Sequence, residues 1–414
     1  MTEKIIIIGA GAAGIGAGLR LKALNVPFII LEANDRIGGR AYTDSTSLSS
    51  KWDKGCSWFH CADINPLVDW ADKLGTLYDK QDRSENALYW SESHWLDPTE
   101  STSVNLNISK RFQEIYVAAE LGHDVSISDI PINNSFEAAV SEELVKLMCS
   151  EETHFTSAVG YGDYNDTGVN WMVTSGYGDL ISRMAADAPI RINTKVSEIS
   201  YQKGGVRVET SSGQLDARAV IVTTSTNVLR SGQISLPAGP AQEILELVED
   251  VPCGTYEKIA IEFEQYPFNP ANNEAVWIQS YSDSNPIYFQ ISPQKKPMLI
   301  AHVAGEQARE LVQTGSQGMA DFAIQKLTSV FGSKINKTIC GTATTSWQAD
   351  PLIQGGYSYA RIGAGHNRQK MIELDTGEIV FAGEAFSLPW YGTAHGAYQS
   401  GKDVASQLVR SFNL

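Results

Sequence analysis

The chain has 414 residues, 43% hydrophobic and 19% charged, with 48 Asp and Glu against 32 Lys and Arg for a formal net charge of −16. That length exceeds one simple core and predicts two domains. The composition excludes a disordered or fibrous chain, and the acidity excludes a nucleic-acid partner, because phosphate binding needs a basic footprint.

In chain order, residues 4–8 predict a strand, 13–24 a helix and 27–32 a second strand, a βαβ unit turning through glycine. Its apolar run carries glycines at 9, 11, 14, 16 and 18 and is too short to span a bilayer. No later stretch is long enough either, so no membrane association is expected. Residues 61–175 read as mainly helical, with helices over 65–74 and 136–149, Ser135 capping the second. Residues 190–223 predict a β-meander with turns at Lys203-Gly204-Gly205 and Ser211-Ser212-Gly213. A mixed stretch over 236–345 follows, then a strand over 379–382, a glycine-rich corner and a helix over 393–411. Five scattered cysteines (Cys56, Cys61, Cys149, Cys253, Cys340) have no zinc or disulfide spacing and the seven histidines form no cluster. No metal is therefore expected, and a reducing cytoplasm is the expected location.

Gly9-Ala10-Gly11-Ala12-Ala13-Gly14 satisfies G-x-G-x-x-G between a strand and a helix. Gly9 permits the tight turn, Gly11 lets a pyrophosphate approach, and Gly14 lets helix and strand pack closely. Glu32, at the end of the second strand, can accept both hydroxyls of a ribose. Glu32 through Arg40 then spells E-x-x-x-R-x-G-G-R, the pattern of glutathione-reductase-like flavoproteins. Gly38-Gly39 let the backbone pass the pyrophosphate, and Arg36 and Arg40 can pair with its oxygens. This combination points to FAD as cofactor.

With four further segments the sequence resembles the flavin-containing amine oxidases, the family of monoamine oxidases, polyamine oxidases and lysine-specific histone demethylases, and is most similar to polyamine-oxidase-like members. Gly55-Cys56-Ser57-Trp58-Phe59-His60, followed by Asn65-Pro66-Leu67, resembles the segment that brings a histidine near the substrate amine, which makes His60 a substrate contact. Val196 falls on the strand that offers backbone groups to the adenine side. Gly254-Thr255-Tyr256-Glu257-Lys258 resembles the stretch with the active-site lysine, whose family role is to hold a water reaching flavin N5. An exposed strand lysine is the competing reading of Lys258, because Lys258, Ala260 and Glu262 share one face.

The fourth segment is the C-terminal third. Trp347-Gln348-Ala349-Asp350-Pro351 and Gly355-Gly356-Tyr357-Ser358-Tyr359 place Tyr357 where monoamine oxidases carry a cysteine bonded to the flavin. The resemblance therefore implies non-covalent FAD and makes Tyr357 one wall of an aromatic cage. Gly383 and Glu384 match the closing FAD segment, with Glu384 on the ribityl chain. The backbone near Thr393 and Ala394 would face flavin N1 and O2. Thr393 stands where monoamine oxidases have a second cage tyrosine, so Tyr391, Trp390 or Phe386 is expected as the opposite wall. Asp63, beside His60, is the adjacent carboxylate for a distal ammonium.

The expected fold is α/β, a glutathione-reductase-like FAD-binding Rossmann domain (1–60, 176–235 and 346–414) with an interleaved α+β substrate domain (61–175 and 236–345). The expected activity is FAD-dependent oxidation of a primary or secondary amine, polyamine or related alkylamine. Hydride passes from the α-carbon to flavin N5, the imine hydrolyses, and O2 reoxidises FAD to give hydrogen peroxide. Lys258, Tyr357, Thr393 and His60 form the catalytic set, and the protein is expected to be a monomer or homodimer. The alternatives are an L-amino acid oxidase of the same fold, against which Gly55-Cys56-Ser57-Trp58 stands in place of G-x-M-R, and a flavin amine dehydrogenase or desaturase with a different electron acceptor.

Overall fold

The computed structural model describes residues 5–81, 86–270, 273–280, 283, 285–292 and 297–413. Lys4, the first residue of the expected opening strand, lies outside them.

A five-stranded parallel sheet runs in the order Ile190–Arg191, Phe28–Leu31, Ile5–Ile8, Ala219–Val222, Ile379–Phe381. Its central strands are unbroken apolar runs because each is covered on both faces, as a parallel sheet requires. The helix Ala12–Ala23 lies against the C-terminal helix Ala394–Phe412. The approach is close: a Cβ on Gly401 would sit 2.0 Å from the Ala13 carbonyl oxygen. Segments from three distant parts of the chain therefore build one layer.

The expected meander divides in two. Val196–Gln202, Gly205–Thr210 and Gly213–Ala217 form a three-stranded antiparallel sheet, whereas Ile190–Arg191 and Ala219–Val222 join the parallel sheet. The reason is visible in Ala219-Val220-Ile221-Val222, which alternates nothing and so cannot present a wet face.

A seven-stranded, mostly antiparallel sheet has the order Ile339–Thr344, Tyr256–Phe263, Met298–Ala304, Ile287–Ile291, Ala275–Ser280, Ala87–Glu92, His94–Trp95. Period-2 alternation splits its faces. Ile259, Ile261, Phe289, Ala301 and Val303 pack onto Met319, Ala323 and Leu327 of the helix Gly315–Phe331. Tyr256, Lys258, Tyr288, Gln290 and His302 occupy the opposite face. The helix Phe136–Cys149 starts where expected, Ser135 accepting from the Ala138 N–H at 3.2 Å, and Pro66–Leu74 starts one residue later than expected, because Asn65 is its cap and accepts from the Leu67 N–H at 2.9 Å. Among the described residues no helix is long and apolar enough to cross a membrane, and no cluster of metal-binding side chains occurs.

Candidate active site

A cavity of about 300 Å³ runs from the carboxyl ends of the parallel strands, at Ile8, Leu31 and Thr223, to the polar face of the seven-stranded sheet at Tyr256, Lys258 and His302. The strand ends of an α/β sheet are where cofactor crevices form.

The first glycine turn shapes one end. Gly9 has φ 102°, and a Cβ on Gly14 would lie 1.9 Å from the Gly9 oxygen, so strand and helix meet with no room for a methyl. Gly11 begins the helix Ala12–Ala23 with no side-chain cap, which leaves its first N–H groups for an anion. Gly38 and Gly39 cross directly over this turn, the Gly38 N–H donating to the Ala10 oxygen at 2.8 Å. Glu32 is held from behind by the backbone N–H groups of Ala10 at 2.7 Å and Asn34 at 2.8 Å while lining the cavity. Arg36 donates to the Gly39 oxygen at 2.8 Å and stacks 4.2 Å over the Tyr42 ring. Val196, buried at the start of its strand, lines the same end. An uncapped helix start, a glycine crossing and a backbone-held carboxylate fit the pyrophosphate and ribose of FAD.

At the middle, Arg40 Nη1 donates to Glu384 Oε1 at 3.0 Å and also to the Gly356 oxygen. Glu384 further accepts from the Ser358 N–H at 3.2 Å, the Ser358 hydroxyl at 2.7 Å and the Gly392 N–H at 2.9 Å. The four protein donors occupy the acceptor sites of a carboxylate, so Glu384, expected on a ribityl chain, acts here as a clasp between three segments. Gly383 and Ala394 line the cavity beside it. Thr393 also does, but its hydroxyl accepts from the Gly396 N–H at 3.0 Å and donates to the Trp390 oxygen at 2.7 Å. That is a helix N-cap: the hydroxyl fixes the N-terminus of Ala394–Phe412 while the residue lines the cavity.

At the inner end Lys258 is 3% exposed, and its Nζ donates to the Asp53 oxygen at 3.1 Å, the Gly55 oxygen at 2.6 Å and Ser57 Oγ at 2.8 Å. Burial, opposed by the nearby Asp53 carboxyl, pushes its pKa down to about 8. The alternation that suggested an exposed lysine holds, but the face it occupies is the cavity side of a covered sheet. All three N–H donors are on protein acceptors, so a water toward N5, implied by the resemblance, would require one to be released. Tyr357 lines the cavity with its hydroxyl on the Leu147 oxygen. His60 is exposed toward the cavity it lines and has Nδ1 2.7 Å from Asn170 Oδ1. The protein packed around it lowers its pKa by desolvation.

The expected second wall is corrected. Tyr391 donates to the Tyr161 oxygen and lies 3.9 Å over Arg368, Phe386 stacks on Phe381, and Trp390 packs on His395; none of the three lines the cavity. Tyr256 lies beside Tyr357 instead, ring centroids 5.5 Å apart, with Trp58 and His302 nearby. Asp63 is exposed, outside the cavity lining, and accepts from Thr167 at 2.5 Å. Tyr256 was recoverable from sequence, two residues from Lys258 on one strand face. His302 signals itself only as a lone polar residue within Met298–Ala304.

A model of the family "Flavin containing amine oxidoreductase" matches residues 12–94 and 132–409. Polyamine oxidase 2 of Arabidopsis thaliana is 27% identical, with 97% of this chain and 86% of the relative covered. Human lysine-specific histone demethylase 2 is 25% identical over 98% of this chain, which spans only 53% of that protein. Among solved structures, cyclohexylamine oxidase from Brevibacterium oxydans IH-35A superposes with a TM-score of 0.82 at 18% identity, all of both chains covered. A putrescine oxidase variant with redesigned cofactor binding gives 0.81 at 20% identity, covering 99% of each chain. With most of its length matched and a dinucleotide cradle opening into an aromatic end, the chain belongs to the flavin-containing amine oxidoreductases, the FAD-dependent amine oxidases.

Proposed function

We propose that this enzyme oxidises small primary or secondary alkylamines, polyamine-type diamines among them, with O2 as the final acceptor. The observation that carries the reading is the inner end of the cavity: Trp58, Tyr256 and Tyr357 present aromatic surface there, while the Lys258 cation has all three donors on protein acceptors. Aromatic faces attract an ammonium as it enters and exclude water around the reacting carbon. A substrate carboxylate finds no released donor on Lys258, which sets the amino acid oxidase reading behind. The relatives named for polyamines, putrescine and cyclohexylamine support the same class.

The Gly9–Gly14 turn, Glu32, Arg36 and the Ala394 helix start would hold FAD, which would supply acceptance of hydride from the amine and transfer of electrons to O2. The chain itself orients and shields. Thr393 fixes the N-terminus of its helix, whose partial positive charge favours negative charge nearby. Tyr357, held on the Leu147 carbonyl, gives a rigid wall and offers no sulfur for a covalent bond to the flavin. The proposal includes a two-part organisation in which residues 1–60, 176–235 and 346–414 hold the cofactor and 61–175 and 236–345 form the substrate side.

The deciding experiment is anaerobic bleaching of the bound flavin against putrescine, spermidine, butylamine, cyclohexylamine and L-leucine, followed by air. Amines should bleach and air should restore colour with one peroxide per turnover. Bleaching by L-leucine alone overturns the substrate class, and colour that stays bleached in air overturns the oxidase. Acid precipitation should release all flavin into the supernatant; yellow pellet would contradict the non-covalent bond.

A further inference from the structure

The polar face of the seven-stranded sheet carries a hydrogen-bonded chain that the reaction above leaves unused. His302 lies across from Lys258 on one neighbouring strand and from Tyr288 on the other. Its Nδ1 is 2.5 Å from the Tyr256 hydroxyl, and its Nε2 is 3.1 Å from Gln290 Oε1. Gln290 and His302 are buried, whereas Tyr256 keeps partial exposure at the cavity it lines.

Chemistry fixes where each proton sits. An amide oxygen only accepts, so His302 Nε2 carries the ring proton. Burial, reinforced by the Lys258 cation, holds the His302 pKa well below its ordinary value, so the ring is neutral and Nδ1 accepts. The Tyr256 O–H therefore donates to Nδ1, and burial raises its own pKa, which keeps the phenol protonated. A phenol with its single proton committed meets a ligand through oxygen lone pairs alone.

We infer that Tyr256 selects the substrate of this cavity: with its proton fixed on His302, its oxygen accepts an N–H from an amine and has nothing to donate to a carboxylate. The inference rests on the amine reading above and adds to it the group that enforces the choice. His302 and Gln290 are positioning residues, acting through Tyr256. A carboxylate placed against this oxygen would set two acceptors facing each other in a desolvated site, the kind of mismatch that discriminates strongly between substrates.

The test uses the holoenzyme, Tyr256→Phe and His302→Leu, with flavin content confirmed for each. Butylamine is titrated anaerobically by flavin reduction, and pentanoate binding is read from the flavin absorbance. Tyr256→Phe should raise the butylamine half-saturation concentration about tenfold, one charge-assisted hydrogen bond's worth, with the effect falling there more than on the limiting rate. His302→Leu cannot accept the phenol proton, so Tyr256 can donate as well as accept: butylamine should shift by less than about threefold while pentanoate tightens about fivefold or more. A loosened fold would not produce that gain. Unchanged half-saturation in Tyr256→Phe, or no gain for pentanoate in His302→Leu, overturns the inference while amine reduction of the wild type stands. Reduction of the wild type by L-leucine and not by butylamine overturns the amine reading itself, and this inference with it.

Discussion

Arg40 and Glu384 stand 344 positions apart in sequence and 3.0 Å apart in the fold, an ion pair at the centre of the cavity. The pair closes the ring between the second glycine crossing and the C-terminal segment, and Ser358 and Gly392 complete it.

Every partner of Glu384 donates, so an amide in its place must turn an NH2 toward a donor. Glu384→Gln should therefore lose about 2–4 kcal/mol of stability, from an unmatched donor and an uncompensated Arg40. Chemical denaturation of the apoprotein and flavin content after purification both read this; wild-type values for both would remove the clasp role.

Lys258 titrates in the fold at about 8, against an ordinary 10.5. Between those values the unfolded chain binds more protons than the folded one, so this residue makes stability rise with pH across that window, by about 3 kcal/mol at the upper end. Lys258→Met should flatten the rise, seen as the difference between the two denaturation curves from pH 7 to 10. Flavin reduction or reoxidation should also slow by about tenfold or more. A variant with wild-type rates in both half-reactions and the same pH slope would show that the buried ammonium is only packing.

Gly11 and Gly14 should separate folding from cofactor binding. Alanine at 14 drives a methyl into the Gly9 carbonyl at 1.9 Å, whereas at 11 the nearest atom is 3.9 Å away and the methyl faces the cavity. Gly14→Ala should fail to yield folded protein. Gly11→Ala should fold with a melting temperature near that of the wild-type apoprotein and bind FAD about tenfold or more weakly, since the methyl occupies the pyrophosphate approach. Equal flavin affinity in Gly11→Ala contradicts the placement of the pyrophosphate.

Thr393→Ala should cost about 1 kcal/mol through the lost N-cap, and Thr393→Ser should restore it. The readouts are denaturation midpoint and flavin affinity. If serine fails to rescue, the methyl and not the hydroxyl is what matters at this position.

Asp63→Asn should leave the half-saturation concentration for putrescine within about twofold of wild type, because Asp63 faces solvent and Thr167. A large increase would return Asp63 to the substrate site.

Much of the cofactor end was legible in the residues. Gly9, Gly11, Gly14 and Glu32 are spaced by a strand, a turn and a helix, local geometry that periodicity and glycine placement encode. The cap at Ser135 was legible for the same reason, whereas Asn65, read as the first helical residue, is the cap of the helix that starts at Pro66. The 190–223 segment is split between two sheets and not one meander, because strand propensity does not say which sheet a strand joins; continuous burial of Ala219–Val222 does.

The sequence by itself determined the βαβ cradle, the FAD fingerprint and the family, because those depend on residues close in the chain or on motifs of fixed spacing. Tertiary structure alone decided what faces each functional side chain. It put Lys258 against Asp53, Gly55 and Ser57, joined Tyr256 to His302 across two strands, and took Tyr391, Phe386 and Asp63 out of the cavity. Charge divides in the same way. A net charge of −16 speaks about partners far away, but a proton on one buried nitrogen depends on neighbours within about 3 Å, where burial strips away the water that screens everything else.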